Sequence, residues 1–207
     1  MKRIAESTVR RLSAYLRFLE DSESRGLTTI SSDELARRGG TTSAQVRKDL
    51  SFFGSFGKRG LGYAVPELAG RLREILGLGR KWKIVIIGAG KIGAALVQYR
   101  GFKQRGFHVQ AAYDSDHSKA GKTLEGVPVR DMAQLEKDVH KDPPDIAVLA
   151  VPAENAQAVS NKLVACKIKA ILNFAPVQLQ VPPDITVRTV NMAMELEALS
   201  FALTNRG

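Results

Sequence analysis

Disulfide bonding within this chain is excluded, because Cys166 is the only cysteine in 207 residues and a lone thiol has no partner. Its amphipathic surroundings read as those of a small buried hydrophobe. Histidine is almost as scarce. His108, His117 and His140 form no catalytic arrangement with a carboxylate, serine or cysteine, and no Cys/His cluster has metal-ligand spacing. Neither a catalytic set nor a metal site is expected. Long apolar runs are missing too: none reaches the roughly 18 residues of a membrane span. Met1-Lys-Arg-Ile-Ala-Glu6 lacks the apolar core of a signal peptide, so the expected location is the cytoplasm. Negative charge is the last shortage, with 21 Asp/Glu against 31 Lys/Arg and a net charge of +10. The excess is denser at the start: 15 Lys/Arg against 9 Asp/Glu over residues 1–80, and 16 against 12 over residues 81–207. That balance favours a polyanionic partner for the first part.

What is present is enough apolar material for a core, 44% of the chain, and a glycine-rich turn in an informative setting. Lys81-Trp-Lys-Ile-Val-Ile-Ile-Gly-Ala-Gly-Lys-Ile-Gly93 is an apolar run that stops on glycines and continues as a helical pattern. It reads as strand, phosphate turn, helix. Gly88 lets the chain turn off the strand, Gly90 lets backbone approach a pyrophosphate, and Gly93 lets the helix pack closely. Ala89, Lys91 and Ile92 complete a turn whose free N–H groups face the phosphates at the positive end of the helix. A second strand, Val109 to Tyr113, ends on Asp114. A carboxylate there takes the ribose hydroxyls of NAD and repels a 2′-phosphate.

The first 80 residues carry a different pattern. Val9, Leu12, Leu16 and Leu19, widened by Tyr15 and Phe18, recur at helical spacing over Thr8 to Ser22, with Arg10, Arg11 and Arg17 left on or near the outer face. Ser31-Ser-Asp-Glu34 is a capping box opening a short helix, Asp33 to Arg38. Gly39-Gly40 permits a tight turn, and Thr41-Thr42 offers a hydroxyl cap for a third helix, Ser43 to Phe52. Short helix, glycine turn and polar-faced helix follow the helix-turn-helix order. On the third helix Val46, Leu50 and Phe53 face the core. Thr42, Ser43, Gln45, Arg47, Lys48 and Ser51 remain for a nucleic acid, being residue types that contact base edges and phosphates. Taken alone, this face reads first as an ordinary solvated surface. Phe53 to Tyr63 then interleaves glycines and aromatics around Lys58-Arg59, which suits a hairpin wing with a basic tip. Pro66 to Leu76 is an amphipathic helix with proline near its start, and Gly77 to Lys81 is the expected domain boundary.

Downstream, Gly126 to Val129 is a minor strand, Asp131 to Val139 a helix, Asp145 to Val151 a strand, Glu154 to Cys166 a helix, and Lys169 to Asn173 and Ile185 to Val190 are strands. Alternating strands and helices give a doubly wound parallel sheet of the Rossmann α/β class. The loops at Gly88 to Gly93, Asp114, Val151-Pro152-Ala153 and Asn173-Phe174-Ala175 are then expected to line one crevice beyond the strands' carboxyl ends. Met192 to Leu203 is a strongly apolar helix that packs either on its own sheet or into a second subunit. An enzyme would need a proton-transfer group beside the nicotinamide. Tyr99-Arg-Gly-Phe-Lys103 has a Tyr-x-x-x-Lys spacing, but Gly101 interrupts it directly after the first Rossmann helix, so it is read as coincidence.

Gln45 to Tyr63, followed by Trp82 to Gly93 and Asn173-Phe-Ala-Pro176, resembles the Rex redox-sensing transcriptional repressors across essentially the whole chain. The resemblance implies a winged helix-turn-helix DNA-binding domain (residues 1–78), a Rossmann NAD(H) domain (79–190) and a C-terminal domain-swapped helix (191–207). It implies a homodimer on inverted-repeat operator DNA, released when NADH rather than NAD+ is bound, and it sets Tyr99 among the cofactor-binding residues. Rex chains commonly carry an acid where this one has Asn191, pairing it in turn with a tyrosine and an arginine that Tyr99 and Arg17 match. With Asn191 those contacts are hydrogen bonds, not ion pairs. The rival readings are a small NAD-dependent oxidoreductase with a basic N-terminal domain and a winged-helix regulator of another nucleotide.

Overall fold

A computed structural model of the chain describes residues 4–57 and 61–205, so Lys58 and Arg59 lie outside the described residues. The chain divides into two compact units, Met1–Arg80 and Lys81–Gly207.

In the first unit α1 (Glu6–Ser24), α2 (Ser32–Gly39), α3 (Ser43–Ser51) and α4 (Val65–Ile75) surround a small two-stranded sheet of β1 (Thr29–Ile30) and β2 (Tyr63–Ala64). Leu12, Tyr15, Leu16 and Leu19 of α1 are buried against Leu35, Val46, Leu50, Leu68 and Leu72. Val9, expected on that stripe, is 41% exposed. Ser31 caps α2, its hydroxyl accepting from the Glu34 amide at 3.1 Å. The reciprocal half of the expected box is not used: the Glu34 carboxylate pairs with Arg37. Gly40 closes α2 in the left-handed conformation, φ 60°, and Thr42 caps α3 by accepting from the Gln45 amide at 3.2 Å. The tip of the expected hairpin within residues 53–63 lies outside the described residues. β2 pairs antiparallel with β1, from before α2 (Ile30 opposite Tyr63), and residues 53–57 form no strand.

The second unit is a seven-stranded sheet. Its elements run β3 (Trp82–Ile87), α5 (Lys91–Gln98), α6 (Arg100–Gln104), β4 (Phe107–Asp114), β5 (Thr123–Leu124), β6 (Val127–Asp131), α7 (Leu135–Lys141), β7 (Ile146–Leu149), α8 (Ala153–Ala165), β8 (Ala170–Asn173), β9 (Thr186–Thr189) and α9 (Met192–Thr204). The strand order is β5-β6-β4-β3-β7-β8-β9, with only β5 antiparallel to its neighbour. Alternate residues of β3 serve opposite faces: Val85 and Ile87 join Leu149, Leu163 and Ile171, whereas Ile84 and Ile86 join Ala112 and Val148. Burial on both faces explains why β3 reads as a continuous apolar run. Cys166 is half-buried against the first of these cores, and burial pushes its thiol up, as expected of a structural cysteine. The chain leaves β3 towards β4 and β6, then returns to lay β7, β8 and β9 on the other side. The gap between the ends of β3 and β7 is therefore the topological switch point, where open α/β sheets bind ligands. Among the described residues no helix is long and apolar enough to cross a membrane.

α9 follows β9 without packing on the sheet. Asn191 caps it, accepting from the Ala193 and Met194 amides at 3.0 and 3.4 Å, yet none of its residues is buried. Leu196, Leu199, Phe201 and Leu203 are 60–70% exposed. Of the two packings its sequence left open, the one on its own sheet is not adopted.

Candidate functional site

At the switch point lies a crevice of about 480 Å³, lined by Gly88, Gly90, Asp114, Ser115, Lys119, Met132, Val151, Pro152, Asn155 and Lys162 among others. The end of β3 sets its geometry. Gly88 has φ +98°, and a Cβ there would meet the Ala150 carbonyl oxygen at 2.3 Å. A Cβ on Gly93 would meet the Gly88 oxygen at 1.7 Å. Both glycines are thus required by the fold itself, for the turn and for the close approach of α5 to the strand. Gly90 differs: its φ of −78° suits any residue, and no heavy atom lies within 4 Å of where its Cβ would be. It is also the N-cap of α5, whose first turn has no side-chain cap, so the helix's positive end opens beside space into which no other protein atom reaches.

Asp114 ends β4 at the crevice edge and is 9% exposed. Its Oδ2 accepts from the Ala89 amide at 2.8 Å and from Lys119 Nζ at 2.9 Å, and its Oδ1 from the Asp116 amide at 2.8 Å. Burial alone would push this carboxyl up, but the Asp116 amide, the Lys119 ammonium and the Ala89 amide outweigh it and hold it below the usual carboxylate range. The carboxylate is therefore ionised at neutral pH and pins the glycine turn through Ala89.

The loop after β8 departs from expectation. Asn173 is fully buried. Its amide nitrogen donates to the carbonyls of Ala175 (3.1 Å) and Val177 (2.9 Å), and its oxygen accepts from the Ala175 amide at 2.9 Å. Asn173 thus shapes the loop from inside, and Ala175 is 1% exposed. Neither lines the crevice, because both satisfy the loop's own backbone. Phe174 is half-buried and packs in the core that includes Ala89. Tyr99 stands between α5 and α6, 57% exposed, with its ring edge-on to Phe102 at 5.2 Å, outside the crevice lining. Lys103 lies on α6, and Tyr99 stands just before it as that helix's N-cap, so the Tyr-x-x-x-Lys pair does not sit within one continuous helix. Lys91 and Ile92 are exposed at the start of α5, and Ala153 begins α8. Lys119, Asn155 and Lys162 were not singled out in the sequence, having no motif around them. A second cavity of about 550 Å³ lies beside α7, where Arg130 pairs with Asp138 and Asp142 with Lys83.

In the first unit the surface of α3 is prearranged. Arg47 and Lys48 are exposed, with Arg47 Nη1 donating to Ser32 Oγ at 2.9 Å, and the Ser51 hydroxyl bonds back to the Lys48 carbonyl. Ser43 and Gln45 are half-exposed. Behind them Asp49 is fully buried, accepting from Arg11 at 2.6 and 2.8 Å, Gln45 Nε2 at 2.8 Å and Tyr15 Oη at 3.0 Å. Burial would raise the Asp49 carboxyl, yet the Arg11, Gln45 and Tyr15 bonds hold it below the usual range, while burial and Asp49 push the Tyr15 hydroxyl up to about 12. Arg11, expected outside, instead ties α1 to α3.

Two family descriptions match this chain: "Putative DNA-binding protein N-terminus" over residues 3–51 and "CoA binding domain" over residues 79–177. A redox-sensing transcriptional repressor Rex of Carboxydothermus hydrogenoformans is 46% identical over 199 residues, covering 96% of each chain. The chain belongs to the Rex family. A second Rex repressor, of Syntrophomonas wolfei, is 48% identical over 206 residues, covering 99% of this chain and 98% of its own. The Rex-fold likeness extends to solved structures. One described as RSP in complex with β-NAD+ and operator DNA superposes with a TM-score of 0.93 at 36% identity, covering 98% of this chain and 94% of that one. Another, RSP with β-NADH, gives 0.90 at 35% identity, covering 98% and 95%.

Proposed function

We propose that this chain is a redox-sensing transcriptional repressor of the cytoplasm that binds inverted-repeat operator DNA as a homodimer. NADH occupying the crevice releases it, so that it responds to the NADH/NAD+ ratio. The observation that carries the nucleotide half is Gly90. Its neighbours Gly88 and Gly93 are explained by protein contacts, whereas nothing in the protein forbids a side chain at Gly90, and a glycine there makes room for a pyrophosphate at the start of α5. Gly88 to Gly93 are assigned to the phosphates, Asp114 to the ribose, and Val151 to Ala153 to the crevice wall. Asn173 and Ala175 shape the neighbouring loop, and Phe174 and Tyr99 are assigned to the nicotinamide side. When bound, the nicotinamide supplies a ring that is cationic when oxidised and neutral when reduced. Apolar surroundings at Phe174 and a partner's α9 favour the neutral ring by sparing it desolvation.

For the DNA half, Thr42, Ser43, Gln45, Arg47, Lys48 and Ser51 on α3 are assigned to the major groove, and Lys58-Arg59 to phosphates. The dimer is supported by α9. A 13-residue helix with no buried residue is marginal in water. Burying Leu196, Leu199, Phe201 and Leu203 in a partner stabilises each helix by about 6–12 kcal/mol, at 1.5–3 kcal/mol per side chain. No catalysis is assigned, since the relatives are named as repressors and the Tyr99/Lys103 spacing is broken. A second reading, coenzyme A sensing, draws on the family description over residues 79–177.

The test is a fluorescence titration of NADH, NAD+ and coenzyme A. Saturable NADH binding at one per chain, abolished in Gly90→Val, is expected. Binding of coenzyme A in preference to NADH would transfer support to the second reading. For the DNA half, Lys48→Ala is expected to weaken operator binding and lower the salt slope by about 1.

A further inference from the structure

The acid at the ribose end of the crevice is not a solitary charge. Asp114 Oδ2 already holds two donors, the Ala89 amide and Lys119 Nζ at 2.9 Å, and Oδ1 holds the Asp116 amide. A carboxylate has about four lone-pair sites, so roughly one acceptor position remains. Two adjacent ribose hydroxyls donating to Asp114 need two, and the mobile occupant is Lys119, since the other donors are backbone. Lys119 has somewhere to go. Its side chain is 35% exposed, and Asp116 Oδ2 lies 4.0 Å from Nζ with its own side chain half-exposed.

The electrostatics point the same way. A lone carboxylate at this place rejects a 2′-phosphate by repulsion. Here Lys119 stands between Asp114 and Asp116, and Lys162 adds a second cation to the crevice lining, so two carboxylates are matched by two ammonium groups. The repulsion that would exclude the phosphorylated coenzyme is largely cancelled.

We infer that Lys119 sets discrimination at the ribose 2′ position: facing a free hydroxyl it yields its place on Asp114 and turns to Asp116, and facing a 2′-phosphate it stays as the counterion. This deepens the dinucleotide reading above and rests on it. Asp114 alone does not fix the preference; the Asp114–Lys119 pair does, and the chain tolerates NADPH better than its acid implies.

The experiment is calorimetric titration of the full-length protein, free of DNA, with NADH and NADPH. Wild type, Lys119→Gln and Lys119→Arg are compared at low and high salt. In Lys119→Gln the ratio of the NADPH to the NADH dissociation constant is expected to rise at least about fivefold at low salt, as a partly exposed cation is lost beside a phosphate of nearly two charges. The rise should shrink at high ionic strength, and Lys119→Arg should keep the ratio within about twofold of wild type, because the charge stays. An unchanged ratio in Lys119→Gln with NADH still bound overturns the inference and leaves the dinucleotide reading standing. An equal shift in Lys119→Arg also overturns it, by exposing a purely structural role. Failure of wild type to bind NADH overturns both.

Discussion

Replacing Arg11 by methionine removes a guanidinium and keeps most of the side chain's length, and it leaves the Asp49 carboxylate fully buried without a cation. Breaking a buried pair from one side costs about 3–5 kcal/mol. The Arg11 side chain is 28% exposed, and Gln45 and Tyr15 still donate, which puts Arg11→Met near the lower end, about 3 kcal/mol. If α3 opens locally, that is on the order of a hundredfold faster amide exchange over residues 43–51. The pH dependence has a definite sign. Asp49 is held below its ordinary value in the fold, so its stabilisation is present above the unfolded pKa of about 3.9 and is lost as pH falls through the lower folded value. Without Arg11 burial gains the upper hand and the folded value rises. The difference between wild type and variant should then be largest near neutrality and shrink towards pH 4. Hydrogen exchange of α3, compared at matched pH, checks both statements. A change under about fivefold, equivalent to about 1 kcal/mol, or a difference that does not vary with pH, would refute the view that this buried pair fastens α3.

Four further outcomes are expected. Gly93→Ala should lower thermal stability sharply, because its Cβ would overlap the Gly88 oxygen. Gly90→Val should melt within about 1 kcal/mol of wild type while losing the NADH response; equal destabilisation of the two would remove the special status of Gly90. Leu199→Glu, which puts a charge on the exposed apolar face of α9, should shift the sedimentation profile from dimer to monomer. Asn191→Ala should cost α9 about 1 kcal/mol through loss of its cap, read as a higher dimer dissociation constant and no change in the melting of the sheet.

The sheet was legible because β3, β7 and β8 are apolar runs ended by glycine, proline or asparagine, and burial on both faces leaves no competing period. Capping residues Ser31 and Thr42 were legible for the same local reason: a hydroxyl three residues before an amide states its own function. Asp49 was not singled out, although it falls on the stripe of Val46, Leu50 and Phe53 and its position marked it as inward. A search for apolar periodicity passes over a buried acid, and its partner Arg11 sits 38 residues away. Asn173 was legible only in type. Its type suits a ligand contact, but the loop after β8 has backbone groups to satisfy, and only the folded path reveals that they claim its amide. Lys119 and Lys162 belong to no motif, and a lysine at a crevice is identical in sequence to one in solvent. The residue pattern alone left the packing of α9 open, because an all-round apolar helix specifies burial without specifying the surface that provides it; the family resemblance, not the pattern, pointed to a partner.

The most direct measurement is release from an inverted-repeat operator, followed by fluorescence anisotropy while NAD+ and NADH are added in parallel at equal concentration. A ligand shifts the equilibrium only by its difference in affinity between the DNA-competent and DNA-incompetent arrangements. NADH is expected to dissociate the complex at concentrations where NAD+ leaves it intact. Equal release by both nucleotides, or release by neither under saturating NADH, would contradict redox sensing by this chain.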